Sequence, residues 1–106
     1  MSNRLFQSVI HQMRDSIDRT FGVIDENFTI IACSELGRIG ETISVVSLLG
    51  PELSVSNGYS FKSLNSSQGA NYIVFVEGDD LLASKYVSIL AVSFSSIKFY
   101  YDEKYD

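Results

Sequence analysis

Tryptophan is absent from this 106-residue chain, and cysteine, proline and histidine occur once each. The lone cysteine, Cys33, has no partner for an internal disulfide. Small secreted domains usually carry several bridges, so this usage points to a reducing cytoplasm. One cysteine and one histidine also fall short of the paired ligand spacing that zinc sites use, and no metal is expected. Basic residues are few: eight Lys and Arg stand against thirteen Asp and Glu, a net charge of -5. Phosphate-backbone contacts draw on clustered cations, so these residues are not expected to hold nucleic acid themselves. Long apolar runs are missing too. The opening "MSNRLFQSVIHQMRDSIDRT" interleaves charges with apolar residues, unlike a signal peptide, and no run approaches the roughly 18 to 20 residues of a membrane span. Outside the secretory path the triplets "NFT" and "NSS" carry no glycosylation meaning.

What is present is the composition of one folded domain, residues 1–106, with 45% apolar and 20% charged residues. No internal repeat, linker or low-complexity tract interrupts it. Leu5, Phe6, Val9, Ile10, Met13 and Ile17 recur at spacings of three and four, which predicts a helix over about 3–19. In "FGVIDENFTIIACS" two β-rich runs flank the turn formers Asp25, Glu26 and Asn27, a hairpin with strands near 21–25 and 28–34. "ETISVVSLL" combines β-branched residues with helical spacing and the Gly50-Pro51 stop, and is read as a short helix over 42–49. After Asn57-Gly58, Tyr59, Phe61 and Leu64 stand in near alternation, the period of a half-buried strand, and "ANYIVFVEG" reads as a further strand. Asp79 or Asp80 is placed to cap a long final helix. The fold class expected is α+β: an antiparallel sheet of four to five strands, PAS- or profilin-like, with an N-terminal and a long C-terminal helix packed on it.

The apolar residues of the final helix spread around most of its circumference, more than one sheet face can bury. A second copy is the expected partner, since closed dimers are the commonest oligomers, with Tyr86, Leu90, Phe94 and Ile97 as the interface.

Candidate chemistry is sparse. His11 lies on the polar side of the first helix with nothing tying it to Cys33, and Cys33 ends a strand where cysteine serves as a small apolar residue. Asp25 and Glu26 fit a turn, and Glu77, Asp79 and Asp80 fit a helix cap without the spacing of a calcium loop. No enzyme is expected and no cofactor. "GRIG" lacks both the P-loop and the dinucleotide pattern. Two readings of it stand. Gly37 and Gly40 can supply positive backbone angles while Arg38 points to water, the simpler reading. Alternatively the loop presents Arg38 to a carboxylate, which a guanidinium grips bidentately.

"VIDENFTIIACSELGRIGE", with the preceding "DRT" at 18–20, resembles the N-terminal sensor regions of PucR/CdaR-type bacterial transcription regulators, which include the sugar-diacid regulators. The matching positions are Asp25, Glu26, Ile30, Ile31, Ala32, Ser34, Arg38, Ile39, Gly40 and Glu41. A looser likeness joins "IDENFTIIACS" and "RIG" to PAS-like PDC or Cache sensor domains. The chain departs from the pattern at Phe28, where glycine is usual, so a differently built turn is expected there. It departs again in "GETISVV", which differs from the diacid regulators' "ELHEGA". The resemblance implies a cytoplasmic effector-sensing and dimerising module, with DNA contacted only by a helix-turn-helix domain beyond these residues. It also implies a pocket where Ser34, Arg38, Tyr59 and Phe61 meet a small effector such as an organic acid. The competing expectation is a structural dimerisation scaffold, roadblock- or profilin-like, whose large residues Phe21, Phe28, Tyr59, Phe61, Tyr72, Phe75 and Phe94 fill any cavity.

Overall fold

The computed structural model describes residues 2–43, 54–56, 58–64 and 72–105. The chain opens with helix α1, Ser2–Met13, whose Phe6 and Ile10 are fully buried. It stops short of the expected end at Arg19. Arg14, Asp15 and Ser16 are all exposed, so a further helical turn would bury no apolar surface, and the chain instead turns with the Ser16 N–H donating to the Met13 carbonyl at 2.9 Å. Ile17 still reaches the core, from that turn.

Strands β1 (Phe21–Ile24), β2 (Ile30–Cys33), β3 (Ser54–Ser56), β4 (Tyr59–Ser63) and β5 (Ile73–Glu77) form a five-stranded sheet in the order β2-β1-β5-β4-β3. Every neighbouring pair is antiparallel. Strand alternation divides the core in two. Phe21, Val23, Ala32, Val74 and Val76 face the helices, joined by Phe6, Ile10 and Leu64. Ile24, Ile30, Cys33, Phe61, Ile73 and Phe75 form a second cluster with Ile43, against which Phe28 and Tyr59 pack partly buried. β5 lies at the centre, between β1 and β4, and is buried on both faces, which is why "IVFV" is continuously apolar. Gly22 is required where Phe75 crosses it: a Cβ there would lie 2.2 Å from the Ala32 carbonyl oxygen and 3.0 Å from the Phe75 ring.

Helix α2, Leu81–Tyr105, begins at Asp80, whose Oδ1 accepts the Ala83 N–H at 3.3 Å. The same carboxylate takes a two-pronged grip from Arg19, at 2.5 and 2.7 Å. Gly78, at φ 120°, leaves room for this clamp, since a Cβ there would meet Arg19 Nη1 at 2.4 Å. Ala83, Val87, Leu90, Ala91 and Phe94 are buried in the helix-side core, and the Phe94 ring meets Phe6 edge-on at 5.6 Å. The interface expected from sequence needs correction here. Leu90 and Phe94 are fully buried within the chain, so they have no surface to give a second copy. Tyr86 and Ile97 are half-buried, Tyr86 against the same core. Among the described side chains of α2, the large apolar ones turned outward are Ile89, 59% exposed, and Val92, 65% exposed, with Leu81 and Leu82 at its start.

The helix expected over 42–49 falls largely outside the described residues; Thr42 bridges antiparallel to Thr29 and Ile43 is buried.

Candidate functional site

The β1–β2 turn sets the geometry of the second sheet face. Phe28 N–H donates to the Asp25 carbonyl at 2.9 Å, and Asp25 N–H closes on the Thr29 carbonyl at 3.0 Å. The Asp25 carboxylate accepts the Asn27 and Thr29 N–H groups, at 2.9 and 3.0 Å, which accounts for it without acid–base chemistry. Phe28 sits at φ 61°, the left-handed position that ends a three-residue hairpin loop and ordinarily belongs to glycine. The backbone therefore keeps the glycine-type turn that Phe28 was expected to alter. Its ring rests on the second apolar cluster.

The following loop folds back along β2. Leu36–Arg38 forms a single 3-10 turn, Gly40 at φ 98° reverses the chain, and its N–H donates to the Ile30 carbonyl at 2.8 Å. Ile30 N–H donates to the Glu41 carbonyl at 2.8 Å, and Ile43 N–H to that of Phe28 at 2.9 Å. Gly40 thus has the positive angle foreseen for it; Gly37, inside the 3-10 turn, does not. The outer edge of β2 is completed by an element of α1. Gln7 donates its amide N–H to the Cys33 carbonyl at 3.1 Å and accepts the Cys33 N–H at 3.0 Å, acting as a one-residue strand.

So anchored, the loop carries Arg38 over the second face to Tyr59 on β4. Arg38 Nη2 donates to the Tyr59 hydroxyl at 2.8 Å, and its guanidinium carbon lies 5.7 Å from that ring's centre. Nε faces Glu41 Oε1 at a loose 3.4 Å. The bond to Tyr59, then the nearby Glu41, hold the guanidinium more firmly in its charged form. Tyr59 is braced by Phe75, edge-on at 5.8 Å, and by Phe61 at 6.1 Å. Arg38 therefore does not point to water.

Of the four expected site residues, the structure brings together Arg38, Tyr59 and Phe61. Phe61 is fully buried beneath Tyr59 and offers an apolar floor, not a contact surface. Ser34 is engaged elsewhere: its Oγ accepts the Phe21 N–H at 3.1 Å and its own N–H donates to the Phe21 carbonyl at 2.8 Å, extending the β1–β2 ladder. Cys33 is buried, its thiol pushed above the ordinary range chiefly by desolvation, against the weaker pull of Arg38. His11 is exposed on α1. Among the described residues no three Asp, Glu, His or Cys side chains gather as a metal would need, and no helix is long and apolar enough to cross a membrane.

Gln7, the Arg19–Asp80 clamp and the Thr20 hydroxyl bonded to Glu35 escape sequence reasoning. For Gln7 a signal existed, a polar residue beside Phe6 on the flank of the buried stripe. Comparison with family models, with curated proteins and with solved structures returns no match.

Proposed function

We propose that this chain is a cytoplasmic ligand-sensing and dimerisation domain of a bacterial transcription regulator, without catalytic activity, and that its effector is a small organic acid received at Arg38 and Tyr59. The observation that carries this reading is the half-buried guanidinium braced against Tyr59 above an apolar floor. Tyr59 accepts from Arg38, so its own O–H proton remains to be donated, and the pair offers a carboxylate a cation and a hydroxyl together. Signalling runs through α2, whose outward Ile89 and Val92 supply contact area for a second copy while its opposite side fills the core. DNA contact belongs to a helix-turn-helix domain beyond these residues.

A thermal-shift scan against small carboxylic acids and their uncharged amides tests the proposal. A ligand at 100 times its dissociation constant stabilises by about 2.7 kcal/mol, several degrees for a domain of this size. Saturable shifts by acids alone, lost in Arg38→Gln, are the expected result; shifts that survive Arg38→Gln, or none from any acid, refute it.

A second reading, the dimerisation scaffold without effector, is favoured by the full burial of Phe61, Phe75 and Ile30 on the second face, where the chain's own side chains occupy the apolar space. Under it, sedimentation shows a dimer and the acid panel stays silent.

A further inference from the structure

The guanidinium of Arg38 already has a carboxylate beside it. We infer that Glu41 is a built-in competitor for the Arg38 site, a side chain that an incoming carboxylate must displace; this rests on the reading of Arg38 and Tyr59 as an organic-acid receptor. Three observations support the exchange. The Arg38–Glu41 approach is loose, at 3.4 Å, and Glu41's side chain is 57% exposed. Bonds of that length and exposure are readily given up. The backbone of Glu41 is meanwhile fixed, its carbonyl accepting from Ile30 at 2.8 Å and its N–H donating to the Arg38 carbonyl at 3.0 Å. The carboxylate can therefore swing into water while the loop stays pinned to β2 and Arg38 keeps its 2.8 Å bond to Tyr59. Release of Glu41 needs a side-chain rotation and no refolding. The ligand class follows from what is displaced: a monocarboxylate with its charge at one end, the other end free to lie along the Tyr59 ring.

The test titrates benzoate and uncharged benzamide into the wild-type chain, Glu41→Gln and Glu26→Gln, following the Tyr59 and Arg38 resonances by NMR. Glu26 is exposed at the hairpin tip, so its variant reports the general effect of removing one negative charge. Competition predicts that Glu41→Gln binds benzoate roughly two- to fivefold more tightly than wild type, as expected on removing an exposed ion pair. Glu26→Gln should match wild type, and benzamide should gain nothing. Equal affinity in Glu41→Gln and wild type, or an equal gain in Glu26→Gln, overturns the competitor role while leaving the receptor reading intact. Failure of benzoate to bind any of the three chains overturns the competitor role as stated for a monocarboxylate, and together with a silent acid panel it overturns the receptor reading too.

Discussion

Phe28 provides a test in which the sign of an effect, and not only its size, is at stake. A bulky L-residue in the left-handed region carries a penalty of roughly 1–2 kcal/mol. Against that, its half-buried ring contributes about 1 kcal/mol, around half of what full burial would give. Phe28→Gly loses the ring and adds about 0.5–1 kcal/mol of backbone entropy, but removes the torsional penalty, so it should fall within about 1 kcal/mol of wild type. Phe28→Ala loses the ring and keeps the penalty. At an ordinary position alanine is more stable than glycine by about 0.5–1 kcal/mol; at 28 the order should invert, glycine leading by a similar margin. Phe61→Ala, from a fully buried position on the same face, supplies the contrast, with a loss of about 3–5 kcal/mol. Urea titration of the four chains decides the matter, because midpoints shift in proportion to stability when slopes are unchanged. Alanine more stable than glycine at 28 would show that φ 61° carries no strain, and the argument from torsion would fail.

Gln7→Ala should cost about 1–3 kcal/mol, because both Cys33 backbone groups lose their partner, and should speed hydrogen exchange at the Cys33 amide; unaltered protection there would remove Gln7 from the edge. Phe94→Glu is expected to unfold the chain, by placing a charge where the Phe6 ring packs, whereas Val92→Glu should keep the native circular dichroism and weaken self-association in sedimentation; a folded Phe94→Glu protein would contradict the burial. The Arg19 guanidinium holds the Asp80 carboxyl well below the usual carboxylate range, so its stabilisation is complete above the unfolded value, about pH 4, and fades as pH falls toward the lower folded one. Asp80→Asn, which retains a capping side chain, should narrow its stability gap to wild type progressively below about pH 4, and 1 M salt should shrink the gap at neutral pH. A gap independent of pH would assign Asp80 to capping alone.

The elements whose apolar pattern matches a single environment were legible. β5 announces itself because burial on both faces demands an unbroken apolar run, and the Asp25–Asn27 turn because its chemistry is local. The apolar residues of α2 spread around most of the helix, and spacing alone assigns them no direction: Leu90 and Phe94 turn to the core, Ile89 and Val92 to solvent. The end of α1 was misjudged because Ile17 keeps the helical period while sitting in a turn. Of the residues expected at a site, Arg38 and Tyr59 meet across 21 positions, a contact that no local spacing announces. Ser34 was misassigned because a serine at a strand end has the same sequence appearance whether it faces a pocket or, as here, its neighbour's N–H.

The pairing of Gln7 with Cys33 also bears on how the chain survives its own synthesis. "TIIACS", residues 29–34, has no charge, proline or glycine, the composition of segments that stack into cross-β assemblies when their edges lie open. Here the outward groups of Ile30 go to the loop and those of Cys33 to α1. α1 precedes β2 in the chain, so it leaves the ribosome first and half of the cover is made before the strand it guards. The other half arrives within ten residues, with Gly40 and Glu41. A nascent chain thus has a brief interval in which this hazardous window can recruit a neighbour, and removing the α1 half of the cover, as Gln7→Ala does without emptying the core, turns a modest loss of stability into a loss of soluble yield.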